Sequence, residues 1–520
     1  MSTKPHITTL PQASLRRRYF FKLGSNAVNL AVNIGTQAII PRGLGPQAYG
    51  DFNYLTSFFN QVVTFLDMGS SMGFDTKLAR RPYERGLVRF FGGVTAGVCI
   101  TVLTFVFVAL STSQWQNIWL GQLPRFIWLA AVWGLLSWIV KVLTGMADAY
   151  GVTVPVELAR MMQRIMGLGL VVALYFSHHF NLTALFIAYY VVLIFLIGTF
   201  AAIIARSGHS VLGERITWLQ TKAYSGEFYG YTHPLLVFAL VGMTAGILDR
   251  WLLQRFAGSA QQGYYGLAYQ VGAACFVFTS AMTPLFIREF SIAFGREDLA
   301  AMQTLFSRFI PMFYALAAYF CCFVAVESRA VVNLFGGKDF TRAAGTLAVM
   351  AFYPMHQTYG QLCSSVFYAT GKTRLFRNIT VPLLLLGLPA SFFLLAPARL
   401  LGAGAGATGL AIKMVAIQVV GVNLQLYFNT RYLVLSFRSF VGHQVLCAGS
   451  LFLIASGAGR AVETLGFLRT HELAGFVAAG ILYSAAVGAL FVAVPWLVGL
   501  RRADLSRWFA AFLNSARLSF

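Results

Sequence analysis

Three stripes of polar side chains run through otherwise apolar sequence, and their spacing is that of a helix. In residues 22–41 the stripe is Asn26, Asn29, Asn33 and Gln37, at intervals of 3, 4 and 4. In residues 48–73 it is Asn53, Thr56, Asn60, Thr64 and Asp67, at intervals of 3, 4, 4 and 3. Steps of three and four hold side chains on one helical face. A third stripe, Tyr353, Gln357, Gln361 and Ser364, lies beside Pro354 and His356. An unpartnered amide in hydrocarbon is costly, so each stripe must meet water or another polar face. Two readings stand: a hydrated cavity for polar cargo, or hydrogen-bonded glue between helices.

Charge inside apolar sequence narrows the chemistry. Lys141 and Lys413 are the basic residues placed well inside apolar runs. A cation at mid-membrane costs about 2.5–3.5 kcal/mol on the insertion scale, so it needs water or an anionic partner. The functional reading is an anion site for phosphate-bearing cargo; the plainer one is snorkelling toward the nearer surface. His356 is a candidate for proton exchange, against the plainer reading of a packed polar residue. Pro354 frees a backbone carbonyl and marks a kink. Asp67, Asp148 and Asp249 sit near helix ends, where local pairing is the plain expectation.

Catalytic patterns are missing. The chain has no HExxH, no GxSxG and no paired carboxylates in an extramembrane setting. "GAGAGATGL" (402–410) lacks the GKS/T ending of a phosphate loop and reads as small-residue helix packing. The six cysteines, at 99, 275, 321, 322, 363 and 447, all lie in apolar segments without a CxxC, so buried free thiols are expected. No enzyme activity, cofactor or metal is expected.

The elements that must carry these residues are membrane spans. The 520 residues are 58% hydrophobic and 11% charged, against about half and a quarter in soluble domains. Crossing about 30 Å of hydrocarbon takes about 20 helical residues. Hydropathy and breakers give about fourteen spans: 22–41, 48–73, 88–110, 125–147, 156–176, 182–205, 228–249, 264–287, 304–326, 343–369, 379–397, 406–430, 439–459 and 473–499.

The net charge of +22 sits mainly in short joins between these runs, which marks topology rather than a nucleic-acid surface. With the N-terminus inside, 27 Lys/Arg fall in inner segments and 10 in outer ones. That bias predicts an even number of spans with both ends cytoplasmic; twelve would satisfy it too. The first span, behind Arg16-Arg17-Arg18, reads as uncleaved. The tail "RRADLSRWFAAFLNSARLSF" places Leu505, Trp508, Phe509, Phe512 and Leu513 at helical spacing, as an interfacial helix would.

Internal repeats divide the bundle. "RGLGPQAYGDFNYL" (42–55) and "RFAGSAQQGYYGLAYQ" (255–270) each run from an arginine through glycines to an aromatic cluster. In the first, Pro41, Gly43, Gly45, Pro46 and Gly50 are expected to stop the helix and turn the chain, with Arg42 as anchor. Basic inner joins follow each, at 75–90 and 288–309, then "LTGMADAYG" (143–151) and "ATGKTRLF" (369–376). Their common order predicts two parallel six-span halves. The expected organisation is an N-lobe (1–215), a C-lobe (216–438) and two further spans with the tail (439–520).

"IIPRGLGPQAYGDFNYL" (39–55), "LDRWLLQRFAGSAQQGYYGLAYQ" (248–270), "VNLFGGKDFTRAAGTLAVMAF" (332–352) and "FYATGKTRL" (367–375) resemble recurring segments of Wzx-type oligosaccharide flippases. Those belong to the multidrug/oligosaccharidyl-lipid/polysaccharide (MOP) exporter superfamily. The resemblance spans roughly residues 18–435. It implies an all-α, two-lobed, MATE-like fold around a central cavity. It implies transfer of undecaprenyl-diphosphate-linked oligosaccharide from the cytoplasmic to the periplasmic leaflet of a bacterial inner membrane, for surface polysaccharide biosynthesis. Expected partners are that lipid-linked glycan, membrane lipids and a glycan polymerase or export machinery; the chain is expected to act as a monomer. The family has no invariant set of cargo residues to carry over. The rival expectations are a MATE-like drug or cation antiporter and a lipid II-type flippase.

Overall fold

The computed structural model describes residues 15–112, 114–233, 236–276, 282–464 and 472–500; within them the side chains of 15–31, 231, 238 and 284 are left out. The expected tail helix at 501–520 lies outside the described residues. Among the described residues there is no strand. The reason is local: apolar runs rich in Leu, Ala and Phe satisfy every backbone group internally only as helices. The chain divides into two compact units, Met1–Gly263 and Tyr264–Phe520.

The first unit opens with α1 (Leu15–Asp67), α2 (Ser70–Arg80), α3 (Arg85–Ser111) and the short α4 (Trp115–Ile118). Next come α5 (Pro124–Ala149), α6 (Thr153–Phe176), α7 (Leu182–Arg206), α8 (Trp218–Thr232) and α9 (Leu236–Ala257). The division falls within α10 (Ser259–Ala274). The second unit continues with α11 (Thr283–Gly295), α12 (Leu299–Val326), α13 (Ser328–Gly336), α14 (Ala344–Met350) and α15 (Phe352–Ala369). It ends with α16 (Thr373–Leu395), α17 (Gly406–Tyr432), α18 (Phe437–Thr464) and α19 (Glu472–Ala493). Every expected span falls on one of these helices or on a consecutive pair. Nine of the described helices are each long and apolar enough to cross a membrane: α3, α5, α6, α7, α12, α16, α17, α18 and α19. The chain is a multi-pass, all-α membrane protein.

The breaker-rich stretch at 41–50 breaks the helix at one residue only, correcting the expected stop. Gly45 takes φ 74° and ψ 170°, while Pro41, Gly43, Pro46 and Gly50 are helical. That backbone region is essentially open to glycine alone. Pro46 then serves as the first residue of the next helical segment, where its missing N–H costs nothing. Gly258, between α9 and α10, repeats the device at φ 80°.

The likeness extends to packing. A Cβ on Gly50 would fall 1.7 Å from the Ser259 carbonyl oxygen, and one on Gly263 would fall 2.2 Å from the Pro46 carbonyl oxygen. Gly45 and Gly258, Pro46 and Ser259, and Gly50 and Gly263 are each 213 residues apart. The repeated segments therefore cross reciprocally, glycine against the partner's first turn. Lipid tails are as apolar as leucine, so such close backbone approach, rather than apolar burial, favours helix association in a bilayer.

The inner turns repeat as well. After α5, Gly151 (φ 75°) is followed by a bond from Val152 N–H to the Ala147 carbonyl; after α15, Gly371 (φ 69°) is followed by one from Lys372 N–H to the Phe367 carbonyl. Both are glycine-terminated caps with the same six-residue hydrogen-bonded ring.

In the first unit Phe59 and Trp119 stack beside Phe58, and Gly134 of α5 lets the Phe59 side chain approach. In the second, Tyr314 on α12 packs edge-on against Tyr359 and His443. The helix carrying the third stripe is interrupted at Ala351, between α14 and α15. Pro354 cannot donate to the Met350 carbonyl, which is the physical cause of a break there. All six cysteines are free thiols, Cys99 half-buried and the rest buried.

Candidate functional site

The stripe on the second half of α1 does not stay uniform along its length. At its start Asn53 donates to the Tyr49 carbonyl (2.7 Å) and Thr56 to the Phe52 carbonyl (2.6 Å), so both are buried and spent on their own helix. Asn60 and Thr64 are exposed on the helix face. At the end Asp67 is buried, and its carboxylate accepts from Ser70 Oγ (3.0 Å), Ser71 N–H (3.0 Å) and Ser71 Oγ (2.7 Å). It thereby organises the first turn of α2, which begins after two left-handed residues, Met68 and Gly69.

Lys141 on α5 completes this end. Its Nζ stands 3.6 Å from Asp67 Oδ2, and its side chain is 62% exposed. Asp75 on α2 lies against Gly145 of α5, one helical turn beyond Lys141: a Cβ at 145 would fall 2.0 Å from Asp75 Oδ2. Asp75 Oδ1 is buried with no hydrogen-bond partner among the described residues. Burial, then the neighbouring Asp148 and Asp67 carboxylates, push the Asp75 carboxyl up to about 7, against the opposing pull of Lys141. Three carboxylates and one ammonium therefore gather where α1, α2 and α5 meet.

Ion pairs hold α2 from its other side. Glu227 of α8 receives Lys77 Nζ and an Arg81 guanidinium nitrogen, each at 2.5 Å. These bonds, that to Lys77 first, hold the Glu227 carboxyl below its ordinary range. Tyr224 of α8 donates to Glu84, and Arg85 pairs with Glu214 at 2.7 Å.

The other sequence candidates are distributed differently. Asn26 and Asn29 fall where side chains are not described. Asn33 is exposed, and Gln37 accepts from the Tyr49 hydroxyl at 3.1 Å. In the second unit Gln357 lines a cavity of about 90 Å³ with Tyr269, Tyr353 and Pro354. Gln361 accepts from the Thr283 hydroxyl at 2.9 Å, joining α15 to α11. His356 is 8% exposed, with its ring 5.9 Å from that of Tyr314. Lys413 is 6% exposed, and its Cε and Nζ lie where a side chain on Gly387 of α16 would go. The missing side chain of Gly387 makes room for the lysine stem.

Two cations escaped the sequence reading. Arg160 and Arg164 lie 7 and 11 residues beyond the first residue of α6. Their place inside the apolar period of 153–176 was the signal available in the sequence.

The arrangement of these helices has counterparts among solved structures. The lipid II flippase MurJ, in an inward closed conformation, superposes with a TM-score of 0.62 at 12% identity, over 92% of this chain and 99% of that one. An inward-facing multidrug resistance MATE family transporter of the MOP superfamily gives 0.58 at 14% identity, over 79% and 94%. A MOP superfamily transporter from Pyrococcus furiosus gives 0.53 at 14%, over 84% and 100%. The chain has the fold of MOP-superfamily transporters, and these three neighbours are transporters or flippases rather than enzymes. No protein-family model matches the chain, and no curated protein matches it.

Proposed function

We propose that the protein is a flippase that moves undecaprenyl-diphosphate-linked oligosaccharide from the cytoplasmic to the periplasmic leaflet of a bacterial inner membrane, by alternating access. The observation that carries the reading is Lys141: an ammonium on a membrane-spanning helix, 62% exposed, on the unit whose α1 leaves Asn60 and Thr64 exposed. A lysine faces the diphosphate while amides and hydroxyls take sugar hydroxyls. The fold shared with a lipid II flippase supports the same class of cargo. Both chain ends lie in the cytoplasm in this reading.

Energy need not come from a nucleotide. Moving two negative charges outward across an inside-negative membrane gains about 4–5 kcal/mol per 100 mV if they cross the whole field. The test is a proteoliposome assay with a fluorescent undecaprenyl-diphosphate glycan. Movement between leaflets is the expected result; no movement, alongside robust cation efflux, would overturn the proposal. Cation antiport is the second reading, and the Asp75 carboxyl, titrating near neutrality beside two other carboxylates, is what favours it.

A further inference from the structure

We propose that the outer end of the second unit holds a carbohydrate-binding site, in a cavity where α12, α13, α18 and α19 meet. The inference rests on the flippase reading and gives the glycan of its cargo a second site, on the other unit from Lys141. With both chain ends in the cytoplasm, α12 and α18, which carry the ninth and thirteenth expected spans, run outward. Their last residues and the first of α19 then stand at the periplasmic side, where a transferred glycan arrives.

The cavity has a volume of about 460 Å³, within the range of about 300–1,000 Å³ for small-molecule sites. Val326, Phe476 and Ala479 give it an apolar side. Its charged side comes from Glu327, Arg329, Arg460, Glu463 and Glu472. Among the described residues the side chains of Arg329, Arg460, Glu327 and Glu463 make no ion pair or hydrogen bond. Arg460 and Glu463 stand three residues apart on one face of α18 and still do not pair. Glu472 accepts from Asn333 of α13 at 3.3 Å. A Cβ on Gly459 of α18 would fall 2.9 Å from Glu327 Oε1, so this glycine leaves the carboxylate its place. Burial, then the Glu463 carboxylate, hold the Glu327 carboxyl above its ordinary range.

Three carboxylates and two guanidinium groups that do not pair with one another select the ligand by class. A cation would meet two arginines and an anion three glutamates, so either carries a like-charge cost. The carboxylates do not converge as metal ligands do: among the described residues no three His, Cys, Asp or Glu side chains are grouped to hold a metal ion. A hydroxyl both donates and accepts. Neighbouring sugar hydroxyls can therefore use glutamate acceptors and arginine donors together, and hydrogen bonds to charged groups are the stronger kind. The C–H face of a sugar ring suits the apolar side at Phe476.

The experiment overlays the purified full chain, in detergent, on an array of bacterial surface oligosaccharides that also carries spermidine spots. The wild-type chain is expected to be retained on a subset of the oligosaccharides. Arg460→Gln and Glu463→Gln change exposed side chains, so each is expected to keep the wild-type melting temperature and to weaken that binding about tenfold. Gly459→Ala displaces the flexible Glu327 carboxylate and is expected to weaken binding by a smaller factor. Retention on no oligosaccharide, or wild-type retention by both folded variants, overturns the inference. Retention on the spermidine spots alone overturns carbohydrate in favour of an organic cation. The proteoliposome assay separates this inference from the reading beneath it. Lipid-linked glycan that moves without array binding leaves the flippase reading standing; array binding lost in the variants, with no movement by wild type, overturns only the flippase.

Discussion

Lys141 and Asp67 meet across α5 and α1 with the ammonium 3.6 Å from the carboxylate, the lysine side chain 62% exposed and the aspartate 3% exposed. The two ends of this pair have different jobs. An exposed partner adds about 0–1 kcal/mol to stability, whereas the buried carboxylate holds three donors at the start of α2. Lys141→Ala is therefore expected to change stability by less than about 1 kcal/mol and to cut glycan-lipid flipping strongly. Asp67→Ala is expected to cost about 1–3 kcal/mol, because it leaves the buried Ser70 and Ser71 donors without their acceptor. Thermal melts in detergent and the proteoliposome assay separate the two outcomes.

Gly50 and Gly45 test two kinds of glycine requirement five residues apart. Gly50→Ala drives a Cβ into the Ser259 carbonyl, where backbone must move on both sides. A cost of about 3 kcal/mol or more is expected, at the upper end of overpacking. At Gly45 nothing lies within 4 Å of an added Cβ, so only the backbone conformation resists. Gly45→Ala is expected to cost about 1–3 kcal/mol. Yield and melting temperature should rank Gly50→Ala below Gly45→Ala; the reverse order would refute the reciprocal crossing.

Asp75 sets a pH dependence whose sign is fixed. Its carboxyl is raised from 3.8 to about 7 in the folded chain. Between those values the folded state holds a proton that the unfolded state has released. Its contribution to stability is thus fully present below pH 3.8 and is lost as pH rises through about 7. Asp75→Asn is expected to flatten this part of the melting-temperature profile and to melt above wild type at about pH 8. Equal pH slopes in the two proteins would count against a protonated Asp75.

Lys413 and Gly387 give a stability-neutral probe of the second unit. An added Cβ at 387 would lie 2.9 Å from Lys413 Cε, the flexible end of the side chain. Gly387→Ala is expected to cost less than about 1 kcal/mol, because lysine can swing aside. If the ammonium serves the cargo anion, that swing and Lys413→Ala both lower flipping. Unchanged flipping in a well-folded Lys413→Ala variant removes this lysine from the site.

Much of the architecture is legible without coordinates because each part of it is local. Helical spacing, span length and the order of the repeats depend on residues near one another in sequence. The glycine caps at Gly151 and Gly371 and the breaks at Gly45 and Gly258 occur inside the repeated segments. The expectation of a longer interruption at 41–50 overcounted breakers, since Pro46 falls at the start of a helical segment, where proline is compatible with helix.

Composition and periodicity alone determine that this is a multi-span helical membrane protein with an internal repeat. Tertiary structure alone decides which part of a stripe is open. Asn53 and Thr56 turn inward to their own backbone, Asn60 and Thr64 remain exposed, and Asp67 holds the serines that open the next helix. It also decides that Lys141 reaches Asp67, that Gly145 makes room for Asp75, and that Arg160 is held by Thr144. The physical reason is that periodicity fixes the face of a helix. What that face meets depends on neighbours whose distance in the chain sets no rule.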